Sequence, residues 1–181
     1  MNKKALGVEQ VFIYIVVALT FAVIMFFGYK SVSGFLLNAE EVQVVQFKND
    51  LESAVKKIYT EPGTVRVERY SLPAKFQQIC FVNMDYAPSS AEMQELCDLD
   101  IVACNVWEQA QAAKAKGADG FSSVDENVFL TPPALQIKVY RLTIANLDGR
   151  SRGFLCLPIA RGGFNLNLQG KGDRTELREA S

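Results

Sequence analysis

The chain has 181 residues, of which 19 are basic, 20 are acidic and none is histidine. The near-neutral balance argues against the basic surface that nucleic-acid binding requires, and the lack of histidine removes the commonest general base and metal ligand. Beside one long apolar run, enough chain remains for a single compact domain with its own core.

The first predicted element is an apolar helix at residues 11–29, which carries no charged side chain. A helix of about 20 residues spans the ~30 Å hydrocarbon layer of a bilayer, so this run has the length of a transmembrane helix. The alternative is a cleaved secretory signal with Val32-Ser33-Gly34 as its cleavage site, but the apolar part of such signals is shorter, about 7–15 residues. We therefore expect a retained membrane anchor.

The basic residues around this run predict its orientation. Lys3 and Lys4 precede the run, whereas only Lys30 follows it directly. The positive-inside tendency keeps residues 1–10 in the cytoplasm, as a cytoplasmic head or a leader. We expect a single-pass protein of the cell membrane whose main domain lies outside the cell or in a surface filament.

An amphipathic helix is predicted at residues 30–60, because apolar residues recur there at spacings of three, four or seven. The members of this apolar stripe are Leu37, Val44, Phe47, Leu51, Ala54 and Ile58. Lys56 and Lys57 suit the negative end of the helix dipole, and Pro62-Gly63 ends the helix. We expect this helix to continue the membrane helix, with Gly34 as a point where it can bend; the alternative is a separate helix packed on its own domain.

A β-rich domain is predicted at residues 61–170, where the apolar period changes to two. Alternation around Val65-Arg66-Val67 and within Phe164–Leu168 predicts strands with one solvated face. Runs that are apolar on both faces predict central strands, and a short run before a proline pair predicts an edge strand. The central runs are 79–82 and 154–157, and the edge run is 127–130. A change of phase within residues 135–144 indicates a bulge or a strand covered on both sides.

A helical insertion is predicted between the second and third strands. Ser89 and Glu92 have capping-box spacing, and Asp100 can cap a second segment that Gly117 closes. We expect Trp107, the only tryptophan, to pack this insertion onto the sheet.

The order of a hydrophobic helix, an amphipathic helix and a mainly antiparallel sheet resembles the architecture of type IV pilins. Lys3-Lys4-Ala5 followed by Leu6 is similar to an archaeal class III signal peptide, which is cut after a small residue that basic residues precede. A cut after Ala5 would make Glu9 the fourth residue of the mature chain, and a cut after Gly7 would make it the second. Bacterial pilins instead have glycine before the cut and glutamate as the fifth residue.

Three stretches of the β-rich domain also resemble uncharacterised archaeal membrane-anchored proteins with pilin-like N-termini, namely residues 72–83, 127–130 and 154–156. The resemblance to pilins implies that Glu9 neutralises the amino terminus of a neighbouring subunit. The alternative is that Glu9 lies solvated in the interfacial layer of the membrane. The expected partners are the membrane and, in a filament, copies of this chain or other pilin-like subunits.

All four cysteines, Cys80, Cys97, Cys104 and Cys156, lie on the predicted outside, where an even count favours disulfides. Three pairings exist. A break in the helix at residues 98–100 would bring Cys97 within reach of Cys104, and Cys80 would then join Cys156 between two strands. The alternatives are a zinc site, which normally needs close Cys-x-x-Cys pairs or histidine, and inert core thiols.

An acidic cluster in the insertion is a candidate calcium site; its members are Glu92, Glu95, Asp98 and Asp100. It lacks the glycine-punctuated loop of an EF-hand, and solvated helix faces commonly carry such charges. We therefore expect no metal, no cofactor and no enzymatic activity.

The sequence as a whole predicts an α+β protein with a pilin-like organisation. A long N-terminal helix is followed by a mainly antiparallel β-sheet head with a helical insertion, and residues 171–181 form a flexible tail. We expect a structural or filament-assembly subunit, and the alternative is a solitary anchored ectodomain that binds a partner or ligand.

Overall fold

The computed structural model describes the backbone of residues 5–180 and the side chains of residues 10–29 and 40–180. The chain divides into two compact units, residues 1–42 and 43–181. The first helix, α1 (Ala5–Ile58), contributes to both units.

The first unit is the N-terminal part of α1. Within it, Gln10–Tyr29 has a mean hydropathy of 2.7 and is long enough to cross a membrane. None of this segment is buried within the chain. Thr20 satisfies its hydroxyl locally by donating to the carbonyl of Val16 at 2.6 Å, so this polar side chain needs no partner outside the helix.

The second unit is built from two sheets, and the protein is α+β with mainly antiparallel pairing. The strands are β1 (Val65–Ser71), β2 (Gln78–Val82), β3 (Val128–Thr131), β4 (Leu142–Ala145), β5 (Ser151–Arg152), β6 (Phe154–Pro158), β7 (Gly163–Gly170) and β8 (Thr175–Glu179). One sheet has the order β1-β7-β8-β4-β5 and the other has the order β3-β2-β6. Among these pairs, β4 and β8 run parallel and the others run antiparallel.

The C-terminal part of α1 contributes one apolar stripe to the core of the second unit. The buried members of this stripe are Val44, Phe47, Leu51, Val55 and Ile58. They belong to one core with Leu166 and Leu168 of β7 and Leu177 of β8. Four of the six predicted members are confirmed, since Val44, Phe47, Leu51 and Ile58 are buried. Leu37 lies outside the residues whose side chains the structure describes. Val55 takes the place expected for Ala54, which is only partly buried.

Strand β2 separates this first core from a second one. Ile79 and Phe81 belong to the first core, whereas Cys80 and Val82 belong to the second, so both faces of the strand are covered as predicted. The prediction that Phe154–Leu157 is central is wrong in position, because β6 is an end strand of its sheet. Its residues are apolar on both faces because they too alternate between the two cores.

The second core lies under two helices, α2 (Ser90–Leu99) and α3 (Ile101–Ala115). The predicted capping box is confirmed, since the Ser89 hydroxyl accepts the N–H of Glu92 while the Glu92 carboxylate accepts the N–H of Ser89. Asp100 caps α3 by accepting the N–H groups of its first residues. Trp107 is fully buried and packs edge-to-face on Phe154 of β6, as predicted.

The predicted strand with one solvated face is confirmed for β1, and its valines form that solvated face. Val65 and Val67 are exposed, whereas Arg66 and Glu68 are half-buried and Tyr70 is buried. The ring of Tyr70 stacks on Phe164 and contacts the edge of Phe47, both at 5.5 Å between ring centroids. A shift of one residue would expose Tyr70, so this aromatic contact fixes which face of the strand points inward.

The phase change at residues 135–144 marks a passage between the two sheets and not a bulge in one strand. Ile137 forms an isolated bridge with Val128 of β3, and the chain then enters the other sheet at β4. Between these points the buried side-chain amide of Asn127 makes the hydrogen bonds to the backbone that a neighbouring strand would otherwise make. It donates to the carbonyl of Val139 at 2.9 Å and accepts the N–H of Val139 at 2.7 Å.

The prediction of a flexible tail is wrong for Thr175–Glu179. These residues form β8, the middle strand of the five-stranded sheet. Thr175 and Leu177 point into the core, and the Thr175 hydroxyl donates to the carbonyl of Val55 at 3.0 Å. The polar composition of residues 171–181 concealed this strand, because charged residues alternate with the buried ones. Glu176, between Thr175 and Leu177, stays partly accessible and pairs with Lys171 at 3.2 Å.

Gly153 lies directly under the only tryptophan, and we predict that Gly153→Ala destabilises the second core. A Cβ at this position would overlap the Trp107 ring. Overpacking of this kind costs about 1–3 kcal/mol. Gly163→Ala is the matched control, because a Cβ there meets nothing closer than 3.5 Å. Tryptophan fluorescence during thermal unfolding of the full chain in detergent measures both variants; equal midpoints would contradict the prediction.

Candidate functional site

The residues singled out for processing lie at the start of α1. Lys3 and Lys4 are outside the residues that the structure describes. Ala5, Gly7 and Glu9 fall in the first turns of the helix, where only the backbone is described. Their proposed roles in cleavage and assembly therefore stay predictions.

Two disulfides join the four cysteines in the pairs named from the sequence. Cys80 and Cys156 face each other in the β2–β6 register, with 4.0 Å between their Cα atoms. Cys97 and Cys104 link α2 to α3 with 4.8 Å between their Cα atoms, because the chain leaves helical geometry at Asp100. Together with the N-terminal apolar helix, these bonds suggest a domain outside the cell, where disulfides persist.

Structural contacts account for most of the acidic cluster. Glu92 closes the capping box, Glu95 forms an ion pair with Arg152, and Asp100 caps α3 with one oxygen while the other accepts the Thr131 hydroxyl at 3.0 Å. The Glu108 carboxylate lies within 4.8 Å of the sulfurs of Cys97 and Cys104. Since those sulfurs are bonded to each other, they offer no thiolate to a metal ion.

A pair of carboxyl groups lies beside a small cavity of about 160 Å³. Asp85 and Asp119 hydrogen-bond to each other; burial and the hydrogen bond to Asp119 raise the pKa of Asp85. Hydrogen bonds from Ser122, followed by the one from Asp85, lower the pKa of Asp119. The backbone N–H of Phe121 also donates to Asp85, at 3.1 Å, which ties the pair to the turn that follows α3.

A larger groove of about 530 Å³ runs between α1 and the end strand β1. Phe47 and Tyr70 form its apolar floor, and Asp50, Lys57 and Glu68 are among its charged lining residues. Burial, followed by the charges of Glu68 and Asp50, raises the pKa of Tyr70, so the phenol stays protonated at physiological pH. The Tyr70 hydroxyl has no hydrogen-bond partner in the described part of the chain.

Sequence reasoning missed this groove, because it depends on β1 being an end strand. The alternation in residues 65–70 identified a strand but carried no information about its neighbours. One signal was present: Val65 and Val67 share a parity with Arg69, whereas the aromatic Tyr70 lies on the other. An aromatic residue of that size indicates the buried face more strongly than two valines.

Comparisons with known proteins identify no relative. No protein-family model matches this chain, and no curated protein or solved structure matches it at a significant level.

The two disulfides are predicted to stabilise the head to different degrees. They close loops of 76 and 7 residues. In the chain-entropy description, losing the longer loop costs about 4–5 kcal/mol and losing the shorter one about 2 kcal/mol. Paired alanine substitutions at Cys80 and Cys156, and at Cys97 and Cys104, test this by denaturant unfolding of the full chain in detergent.

The wild-type chain supplies the control for this experiment. After denaturation without reductant, an alkylating reagent should modify none of the four cysteines, and after reduction it should modify all of them. Free thiols in the unreduced protein, or equal losses of stability in the two paired variants, would contradict the prediction.

Proposed function

We propose that this protein is a membrane-anchored surface subunit with a pilin-like organisation, which acts through structure and assembly and not through catalysis. The apolar segment Gln10–Tyr29 carries the proposal. It combines a mean hydropathy of 2.7 with a complete lack of burial within its own chain. An apolar helix of this kind needs lipid or the helices of neighbouring subunits to cover it.

The disulfide-bonded head supports an extracytoplasmic location. Disulfides persist outside the cell, and the basic residues Lys3 and Lys4 favour a cytoplasmic N-terminus. With the anchor in the membrane and the head outside it, the chain would have the topology of a secreted surface subunit. Copies of the chain can bundle their apolar segments, and each copy carries its own folded head.

The anchored topology predicts the outcome of protease treatment of intact cells that express the chain. Added protease should digest residues beyond Lys30, and alkaline carbonate should leave the undigested protein in the membrane pellet. A tag at the C-terminus should be removed by protease added to intact cells, whereas a cytoplasmic marker protein should be digested only after the cells are opened. A head that stays protected in intact cells would refute both the subunit and the solitary ectodomain.

Assembly predicts a specific role for Glu9. In a bundle of apolar helices, an unpaired buried amine or carboxylate costs several kcal/mol unless the two meet. Glu9→Gln should therefore abolish filaments that can be sheared from the cell surface and sedimented, while monomer still reaches the membrane. The mature chain should begin at Leu6 or Val8 by N-terminal sequencing.

Glu41→Gln is the matched control, since it removes the same charge from the same helix at a solvent-exposed side chain beyond the apolar segment. Its filaments should sediment like those of the wild type. An unprocessed N-terminus, with no fibres from the wild type, would favour the solitary anchored ectodomain. A Glu9→Gln protein that pellets as fibres would refute the charge pairing.

A further inference from the structure

We infer that the free edge of β1 is a self-association surface, at which β1 of one copy pairs antiparallel with β1 of a second copy about a twofold axis through Val67. β1 is the end strand of the five-stranded sheet and pairs with β7 along its whole length. An end strand presents unpaired backbone groups to a second chain. This inference rests on the proposed membrane anchor but requires no filament.

The hydrogen bonds at the two ends of the β1–β7 ladder identify the backbone groups that point to the free edge. Leu72 donates to the carbonyl of Gly162, and the carbonyl of Thr64 accepts the N–H of Gly170. Even-numbered residues of this strand therefore bond to β7. Because the direction alternates along an antiparallel strand, the N–H and C=O groups of Val65, Val67 and Arg69 point away from the sheet.

This alternation limits how two β1 strands can pair. Only residues whose backbone points outward can exchange hydrogen bonds, so odd-numbered residues must oppose odd-numbered ones. A register centred on Val67 satisfies this condition: Val67 faces its own copy, and Val65 faces Arg69. Val65 and Val67 are 54% and 62% exposed, so their side chains are available to a partner.

The charged side chains favour this register over the two registers that are centred on the adjacent residues. Centring on Val67 places Arg66 opposite Glu68 of the second copy, and the twofold axis repeats this pair. Centring on Glu68 would overlap all seven residues of β1 but would oppose two glutamates, and centring on Arg66 would oppose two arginines. Side chains opposite each other at non-hydrogen-bonded positions are close, so opposite charges there stabilise the pairing and like charges oppose it.

The groove beside β1 leaves room for the second strand. Its volume of about 530 Å³ lies on the face of the sheet that carries Glu68 and Tyr70, where side chains of the incoming strand would enter. Arg66 already pairs with Glu61 at 3.2 Å, but both side chains are more than one-third exposed, so this ion pair is weak and can exchange partners.

A single pair of strands is a small interface, below the size that holds two free proteins together. The proposed membrane anchor changes this, because two chains in one membrane meet at a high effective concentration. We therefore expect the pairing to be present in membranes and to weaken when the chains are diluted in detergent.

Cysteine cross-linking in native membranes tests the register. Residues paired across antiparallel strands have Cα atoms about 5.5 Å apart, within disulfide reach. Val67→Cys should therefore give a covalent dimer on mild oxidation. Val65→Cys is the matched control, because its two copies would lie about 14 Å apart along the strands, too far to bond. Co-expressed with Arg69→Cys, however, Val65→Cys should form a mixed dimer.

Charge exchange tests the partner contacts. In the Val67→Cys background, R66E or E68R alone places like charges opposite each other twice and should lower the dimer yield roughly tenfold. The R66E/E68R double variant restores opposite charges and should recover the yield. Recovery also separates pairing from folding, because the double variant still lacks the Arg66–Glu61 ion pair.

Three results would overturn the inference: no dimer from Val67→Cys, equal dimer from Val65→Cys alone, or no recovery in the double variant. In every sample, after extraction into detergent, the fluorescence of the buried Trp107 reports a folded head. Carbonate extraction reports the anchor independently, so failure of the proposed membrane location is distinguished from failure of the pairing.

Discussion

The head depends on one packing contact, the burial of the apolar stripe of α1 against the inner face of the five-stranded sheet. Leu166, Leu168 and Leu177 of that sheet are fully buried in the same core as the stripe. Without the helix, this row of leucines would face water, and each loses about 1.5–3 kcal/mol of burial when exposed. The head is therefore inseparable from the residues of α1 that follow position 42, and any soluble fragment has to retain them.

Polar contacts occur where elements of the fold join. The buried polar residues among those described are Asp100, Asn127 and Thr175. Asp100 ties the helical insertion to β3, Asn127 replaces a strand partner between the two sheets, and Thr175 ties β8 to α1. Each side chain has hydrogen-bond partners, as burial of polar atoms requires. Apolar side chains form the two cores, and these three polar residues fix the positions of the helices and strands that enclose the cores.

The sequence pattern was sufficient to predict an element wherever that pattern was strong and local. The examples are the apolar segment, the stripe of α1, the capped helices of the insertion and β2. The pattern was insufficient where contacts between distant parts of the chain determine which face of a strand is buried or which strands are neighbours. The valines of β1 face out because Tyr70 dominates the opposite face, and β8 was hidden by charged residues that alternate with Thr175 and Leu177. The groove beside β1 depends on strand order, which a local pattern does not contain. The assembly residues near Glu9 rested on resemblance alone, and no contact tests them.

The place of β8 has a consequence for biosynthesis. This strand lies between β7 and β4, yet it is synthesised after every other strand described here. The five-stranded sheet cannot close until the ribosome has added residue 179. Until then β4 and β7 lack their shared neighbour, and the apolar stripe of α1 has only part of its covering. Folding of the head is thus completed only after its last described strand has been synthesised.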